Sequence, residues 1–172
     1  MSKHAVVRTD LMFGTDVRSG LVSVKYMGAA GETPAAIDNG NIVKLGALVD
    51  GEREVFVGKD VAAKDNLNDV VLIASVEVMY DEHKKNLNEF ENEAGKICRG
   101  YHFHHADKFS VTKEALAGEA EPKVGDIVEL AAGTKMNVAK AETGASEGAT
   151  VVGKIIAVEA AGRDNFYVIQ VD

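Results

Sequence analysis

The amino-acid sequence has little of what several classes of protein require. It contains one cysteine, Cys98, so it forms no intrachain disulfide and no metal cage of several thiolates. It has no tryptophan and only 6% aromatic residues, which leaves few stacking surfaces for single-stranded nucleic acid. No apolar run is long enough for a signal peptide or a membrane-spanning helix. We therefore expect synthesis and folding in a reducing cytoplasm.

Basic residues are also in deficit. The chain carries 19 Lys and Arg against 27 Asp and Glu, a formal net charge of −8 at pH 7. A general nucleic-acid binder needs a basic face that neutralises phosphates, and docking on anionic lipid needs basic residues as well. The charge balance therefore predicts that neither nucleic acid nor a membrane is the partner.

The chain is rich in short runs of valine and isoleucine with a period of two. Glycine, asparagine and aspartate separate these runs, as in turns between strands. The pattern predicts a mainly β fold, an antiparallel barrel or sandwich of short strands rather than alternating βαβ units. The predicted strands are residues 21–27, 41–45, 53–57, 70–80, 126–130, 151–159 and 165–171.

Helix signals are few. Thr112 is a candidate N-cap for one short helix that ends at Gly118. Residues 81–96 fit either a helical stripe or a turn-rich segment. Since the segment contains three asparagines and closes with Asn-Glu-Ala-Gly at residues 92–95, we expect a hairpin there.

Two stretches share their hydrophobic phase and an entry glycine: NGNIVKL at residues 39–45 and VGDIVEL at residues 124–130. A second similar run follows each of them, at residues 73–77 and 155–159. The stretches are either copies of one unit or hairpins that look alike at this length. A duplication predicts two β units that share one core.

The expected organisation follows from these patterns. Residues 1–20 have weak periodicity and are expected to form an N-terminal arm or an extended strand. Residues 21–118 form a first β unit, which includes the hairpin and the short helix. Residues 119–172 form a second β unit that shares its core with the first.

Three of the five histidines lie together, at His102, His104 and His105. On a strand His102 and His104 point to the same face, with the spacing of the two histidine ligands in cupin metal sites. A cupin also needs a glutamate shortly afterwards and a third histidine, where this chain has Met136. Two imidazoles without a third ligand make a poor site. We expect surface or interface histidines, with no bound metal and no cofactor.

Two further motifs fail on inspection. Residues 148–155 have phosphate-loop spacing, but Ile155 stands where a serine or threonine hydroxyl binds magnesium, and the run continues as a strand. Cys98 lies too far along its strand from His102 to bond to it, and the sequence contains no G-x-S-x-G elbow. We therefore expect that the protein is not an enzyme.

The runs LNEFENEAGKICRGYHFHHADKFSVTKEALAG (residues 87–118) and KVGDIVELAAGTKMNV (residues 123–138) resemble small structural proteins of tailed bacteriophages. The opening DLMFGTDVRSG and the closing GATVVGKIIAVEAAGRDNFYVIQVD are similar in style to that group. The resemblance implies a head decoration, or cement, protein that binds the major capsid protein and stabilises the capsid lattice. It also implies a homo-oligomer on the virion surface, with a trimer favoured by the resemblance, after synthesis in the bacterial host cytoplasm.

The N-terminal arm and an exposed hairpin are the expected contact surfaces. The expected contact residues are Leu11, Met12, Phe13, Arg18, Tyr101 and His102. Two alternatives stay open. One is a degenerate cupin-like barrel that binds a small molecule or metal on the His102 and His104 face, and the other is a tail or baseplate component of the same phage.

Overall fold

The structure, a computed structural model, describes residues 4–8, 20–80, 87–162 and 164–172. The strands are β1 (Leu21–Tyr26), β2 (Ile42–Leu48), β3 (Val55–Lys59), β4 (Val70–Ile73), β5 (Ile97–His102), β6 (Lys108–Thr112), β7 (Leu116–Gly118), β8 (Ile127–Glu129), β9 (Met136–Ala139), β10 (Val151–Ala161) and β11 (Asp164–Val171). Short 3-10 helices lie at Leu67–Asp69, Leu87–Glu89 and Lys113–Ala115. None of the helices in these ranges is long and apolar enough to cross a membrane.

Strands β1 to β5 form a closed barrel in the order β1-β3-β2-β4-β5, in which β1 pairs with both β3 and β5. The other six strands form a curled sheet in the order β6-β11-β10-β8-β9-β7. The prediction of a mainly β fold built of short strands is confirmed.

The two sheets repeat one strand order. The series β7-β9-β8-β10-β11 matches β1-β3-β2-β4-β5 strand for strand, and both β1·β3 and β7·β9 are parallel pairs. The N–H of Gly40 donates to the carbonyl of Ile73, and that of Gly125 donates to the carbonyl of Ile155, both at 2.8 Å. In both units the isoleucine N–H donates in return to the residue after the glycine. The two similar sequence stretches therefore occupy equivalent places.

The second unit differs from the first where its barrel would close. The counterpart of β1 is divided: β6 pairs with β11, β7 pairs with β9, and the turn Lys113–Ala115 lies between them. Residues 108–118, which we expected in the first unit, therefore belong to the second sheet. The expected short helix is only this single turn. The Oγ1 of Thr112 does not cap it, because that atom accepts a hydrogen bond from the N–H of Val6 at 3.1 Å.

Residues 4–8 are part of the second sheet. Val7 forms a bridge with Val111, and the N–H of Arg8 donates to the carbonyl of Ser110 at 2.9 Å. Ala5, Val6 and Val7 are all buried. Because the counterpart of β1 is divided into β6 and β7, one side of β6 has no strand beside it. Residues 4–8 supply hydrogen-bond partners for the backbone groups on that side. Of the two expectations for residues 1–20, an arm or an extended strand, residues 4–8 agree with the extended strand, while residues 1–3 and 9–19 lie outside the described ranges.

Strand β4 is buried along its whole length because it lies between two cores. Val71 and Ile73 pack inside the barrel, whereas Val70 and Leu72 pack in a larger cluster that includes side chains of the second sheet. Successive side chains of a strand point to opposite faces, so one strand serves both clusters. The larger cluster is therefore shared by the two units, whereas the smaller cluster belongs to the barrel alone.

Two glycines allow the small barrel to close. A Cβ atom added to Gly58 would lie 2.7 Å from Cγ1 of Val24, and one added to Gly100 would lie 2.9 Å from Cγ2 of Val71. These separations are shorter than van der Waals contact, so a side chain at either position would displace a core valine.

Two predicted elements are shorter than expected. Of residues 70–80 only Val70–Ile73 form a strand, and residues 74–80 have no regular structure. The bend at residues 92–95 is present, with the N–H of Lys96 donating to the carbonyl of Glu93 at 3.1 Å. It closes no hairpin, because Asn92 instead exchanges both backbone bonds with Ile37 at 2.9 Å. Residues 81–86 lie outside the described part.

Candidate functional site: an exposed apolar face

Of the six expected contact residues, only Tyr101 and His102 lie in the described part of the chain. Leu11, Met12, Phe13 and Arg18 lie outside the described ranges. The other two, on β5, are only partly exposed: Tyr101 packs against the larger core cluster, and the N–H of His102 donates to the carbonyl of Gly20 at 2.8 Å. Strand β5 pairs with β1 and β4 in the closed barrel, so these two residues lie on a barrel strand and not on the expected exposed hairpin.

The three histidines face different surroundings. Burial lowers the pKa of His102, and the neighbouring His104 lowers it further. His105 is exposed in a turn, and Asp107 is tied into that turn by a hydrogen bond from the N–H of His104 at 3.2 Å. Met136, at the position of the third cupin histidine, is fully buried in the core. No group of three metal-ligating side chains occurs in the part of the chain that the structure describes.

Ile155 of the phosphate-loop motif and Cys98, the other candidates from the sequence, are both buried on strands. Ile155 is buried in β10, so the phosphate-loop spacing falls on a strand that pairs with β11. Burial raises the pKa of Cys98 to about 11, although a hydrogen bond with Ser75 acts in the opposite direction. A thiol that stays protonated at neutral pH is a poor nucleophile.

Several exposed apolar side chains of the described chain lie together beside strands β1 and β5. We call it the Ile97 face and define it by Leu21, Val76, Val78, Tyr80 and Ile97, each of which has a relative exposure of 45% or more. These side chains line two adjoining depressions of about 310 and 760 Å³, which have Ser75, Val76 and Ile97 in common. Contiguous exposed apolar surface of this kind is typical of a binding interface.

Charged side chains of both signs border the Ile97 face. Glu93 and Lys96 line the smaller depression, and Glu54 and Arg99 line the larger one. All four are exposed. An apolar centre with a charged, solvent-accessible rim is the usual anatomy of a protein–protein interface.

The second unit provides an internal comparison for Ile97. Ile73 of β4 pairs with Gly100, and the equivalent Ile155 of β10 pairs with Ile169. Ile97 and Phe166 each lie three residues before these partners, so they occupy equivalent positions of β5 and β11. Phe166 is 7% exposed, and the guanidinium of Arg8 lies 5.7 Å from its ring centroid. Ile97 is 57% exposed. The duplicated fold therefore buries an apolar side chain at this position in one unit and presents it to solvent in the other.

Two partly or fully buried charges hold loops rather than a ligand. Lys44 of β2 pairs with Asp65 in the loop before β4. Burial alone would raise the pKa of Asp65, but the hydrogen bonds from Lys44 and from the N–H of Ala62 outweigh it and lower the pKa. Glu129 is the equivalent residue of β8 and accepts hydrogen bonds from the N–H (2.7 Å) and Oγ (2.5 Å) of Ser146 in the loop before β10. Each unit thus uses the same strand position to fix the same loop.

The searches for similar proteins found no match to this chain among protein-family models, curated protein sequences or solved structures.

Sequence reasoning missed the Ile97 face because it read residues 70–80 as one strand. The run changes character at Ala74: four consecutive apolar residues precede it, and an alternation containing Val76, Val78 and Tyr80 follows. That change was the available signal. It marks the point where the chain passes from a strand with both faces buried to a segment with at least one face exposed to solvent.

Proposed function

We propose that this protein is a non-enzymatic structural protein of a phage virion that binds and stabilises the capsid lattice, using the Ile97 face as a main contact. The observation that carries the proposal is this contiguous, exposed apolar face on a closed barrel. Leu21 and Ile97 of this face lie on barrel strands, whose backbone is already ordered before binding, and this lowers the entropy cost of association. The resemblance to phage structural proteins supports the choice of partner.

The charge of the chain constrains how it binds. A protein with a net charge of −8 gains nothing from phosphate neutralisation, so affinity must come from shape and apolar contact. In a homo-oligomer on a regular lattice, each contact raises the effective concentration of the next, and avidity exceeds single-site affinity by about 10² to 10⁴. Binding should therefore saturate at a fixed lattice ratio and tolerate moderate salt.

The test is co-sedimentation of the purified protein with capsids that lack it. The variants Val76→Asp and Ile97→Asp place a charge on the face at exposed positions, and Val124→Asp is the matched control on an exposed valine that lines a different depression. We expect the face variants to lose about tenfold or more in affinity, as residues central to an interface do. The control should bind as wild type.

The contribution of the N-terminal residues to capsid binding is tested by point substitutions instead of a deletion. Deletion of the first eighteen residues would remove the buried residues 5–7 and disturb the second sheet. Replacement of Leu11, Met12 and Phe13 by serine tests their contact without that effect. Absence of co-sedimentation by the wild-type protein at any ratio would rule out the capsid. A component present in far fewer copies than the capsid protein in virions would instead belong to the tail.

A further inference from the structure

The segment that carries Val76, Val78 and Tyr80 is not held by a strand ladder. After β4 ends, the N–H of Ala74 donates to the carbonyl of Arg99 at 2.9 Å, and the N–H of Arg99 donates to Oγ of Ser75 at 3.1 Å. The described contacts give the next residues no strand beside them, so the Ile97 face depends on side chains that fix this segment.

One buried amide replaces the missing strand. The Nδ2 of Asn39 donates to the carbonyl of Ser75 at 2.8 Å, and Oδ1 of Asn39 accepts from the N–H of Ser75 at 3.0 Å. These are the two bonds that a paired residue of a neighbouring strand would make. Nδ2 also donates to Oε1 of Glu77 at 3.1 Å, so the amide holds the chain on both sides of Val76.

A second amide fixes the orientation of the first. Asn92 donates from Nδ2 to Oδ1 of Asn39 and to the carbonyl of Ile37, both at 3.0 Å. The Oδ1 of Asn39 thus accepts from two N–H donors, and rotating the amide by half a turn would break the hydrogen bonds that Asn39 makes with Ser75, Glu77 and Asn92. Asn92 itself lines the smaller depression. The Asn39–Asn92 pair therefore joins two walls of the Ile97 face.

We infer that Asn39 is the positioning residue of the Ile97 face: its buried amide sets the course of residues 75–77 and thereby the surface presented to the partner. Asn39 is 1% exposed and lines neither depression, so it acts through the segment and not by touching the partner. For its affinity readout this inference rests on the proposed function.

The direct test is Asn39→Asp, which keeps the shape of the side chain and replaces a donor by an acceptor. The new oxygen would face the carbonyl of Ser75 and the carboxylate of Glu77. We expect faster amide hydrogen exchange in residues 75–80, with exchange of β2 and β4 unchanged, and about tenfold weaker capsid binding, since a buried group left unpaired costs about that factor. Asn66→Asp is the matched control, because Oδ1 of that exposed residue only accepts a bond, from the N–H of Asn68.

A coupling measurement separates positioning from a general loss of stability. If Asn39 acts through the face, the double variant Asn39→Asp, Val76→Asp should bind no more weakly than Val76→Asp alone. Additive losses, or faster exchange throughout the barrel, would overturn the inference. If Asn39→Asp does not fold, Asn39→Ala removes every hydrogen bond of the set without adding a charge, and wild-type exchange of residues 75–80 in that variant would also overturn the inference.

The two proposals fail in different ways. If Asn39→Asp shows wild-type hydrogen exchange and wild-type capsid binding while Val76→Asp binds weakly, the positioning role is refuted and the capsid contact stands. Faster exchange of residues 75–80 together with wild-type binding of every face variant would refute the contact and support the positioning role.

Discussion

Ala106 is the one residue other than glycine with positive φ, 69°, in the described part of the chain. It lies in an exposed turn closed by a bond from the N–H of Asp107 to the carbonyl of His104 at 3.0 Å. A side chain in the left-handed region costs about 1–2 kcal/mol, which glycine avoids. Ala106→Gly should therefore raise the free energy of unfolding by about 0.5 kcal/mol, after the entropy of the unfolded glycine is subtracted.

Urea unfolding checks this prediction. The matched control is Ala94→Gly, at an exposed turn residue whose φ is not positive. There glycine gains no relief from strain, so we expect a loss of about 0.5–1 kcal/mol. Equal losses at both positions would contradict the strain at Ala106.

Among the elements, the N-terminal segment of residues 4–8 is held by contacts that are distant in sequence. It pairs with β6 and buries Val6 and Val7. Because a buried valine contributes about 1.5–3 kcal/mol, deletion of residues 1–8 should lower the free energy of unfolding by at least about 3 kcal/mol. It should also promote association, since it uncovers a strand edge.

Urea unfolding and light scattering measure the two effects of that deletion. Val124→Ala changes an exposed valine and should alter stability by no more than about 0.5 kcal/mol. A truncated protein as stable as the full chain would show that residues 4–8 are an arm after all.

At the scale of the whole molecule, the loop that the buried carboxylate of Glu129 holds links the two units. Glu129 binds Ser146, and the same loop reaches the barrel at Thr150, whose N–H donates to the carbonyl of Ala63 and whose Oγ1 donates to the carbonyl of Asp65, both at 2.8 Å. Burial alone would raise the pKa of Glu129, but hydrogen bonds from Ser146 and Asn137 outweigh it and lower the pKa below its usual value of 4.5.

A carboxylate whose pKa is lowered by folding stabilises the protein above its unfolded-state pKa, and this stabilisation is lost as the pH falls through the folded-state value. Glu129→Gln should therefore lower the free energy of unfolding by about 1–3 kcal/mol at pH 7, with a smaller difference from wild type at acidic pH. Unfolding curves between pH 7 and acidic pH measure this. Glu147→Gln, with the same change of charge in an exposed residue of the loop, should leave the pH profile unchanged.

The sequence by itself determined the β class and most strand positions, and it indicated two similar stretches without deciding whether they are copies of one unit. These follow from local signals: a period of two places side chains on alternate faces, and the entry glycines Gly40 and Gly125 both have positive φ. Such a signal depends only on residues close together in sequence, so it is the same whichever strands pair in the fold.

Only the tertiary structure decided which strands close the barrel, where residues 4–8 insert and which valines stay exposed. Val7 meets Val111, and Asn92 meets Ile37, across long stretches of chain. No pattern within either segment specifies such a partner. Val76 and Ile97 are exposed for the same reason, because exposure depends on the absence of a neighbouring element, and neighbours are set by long-range pairing.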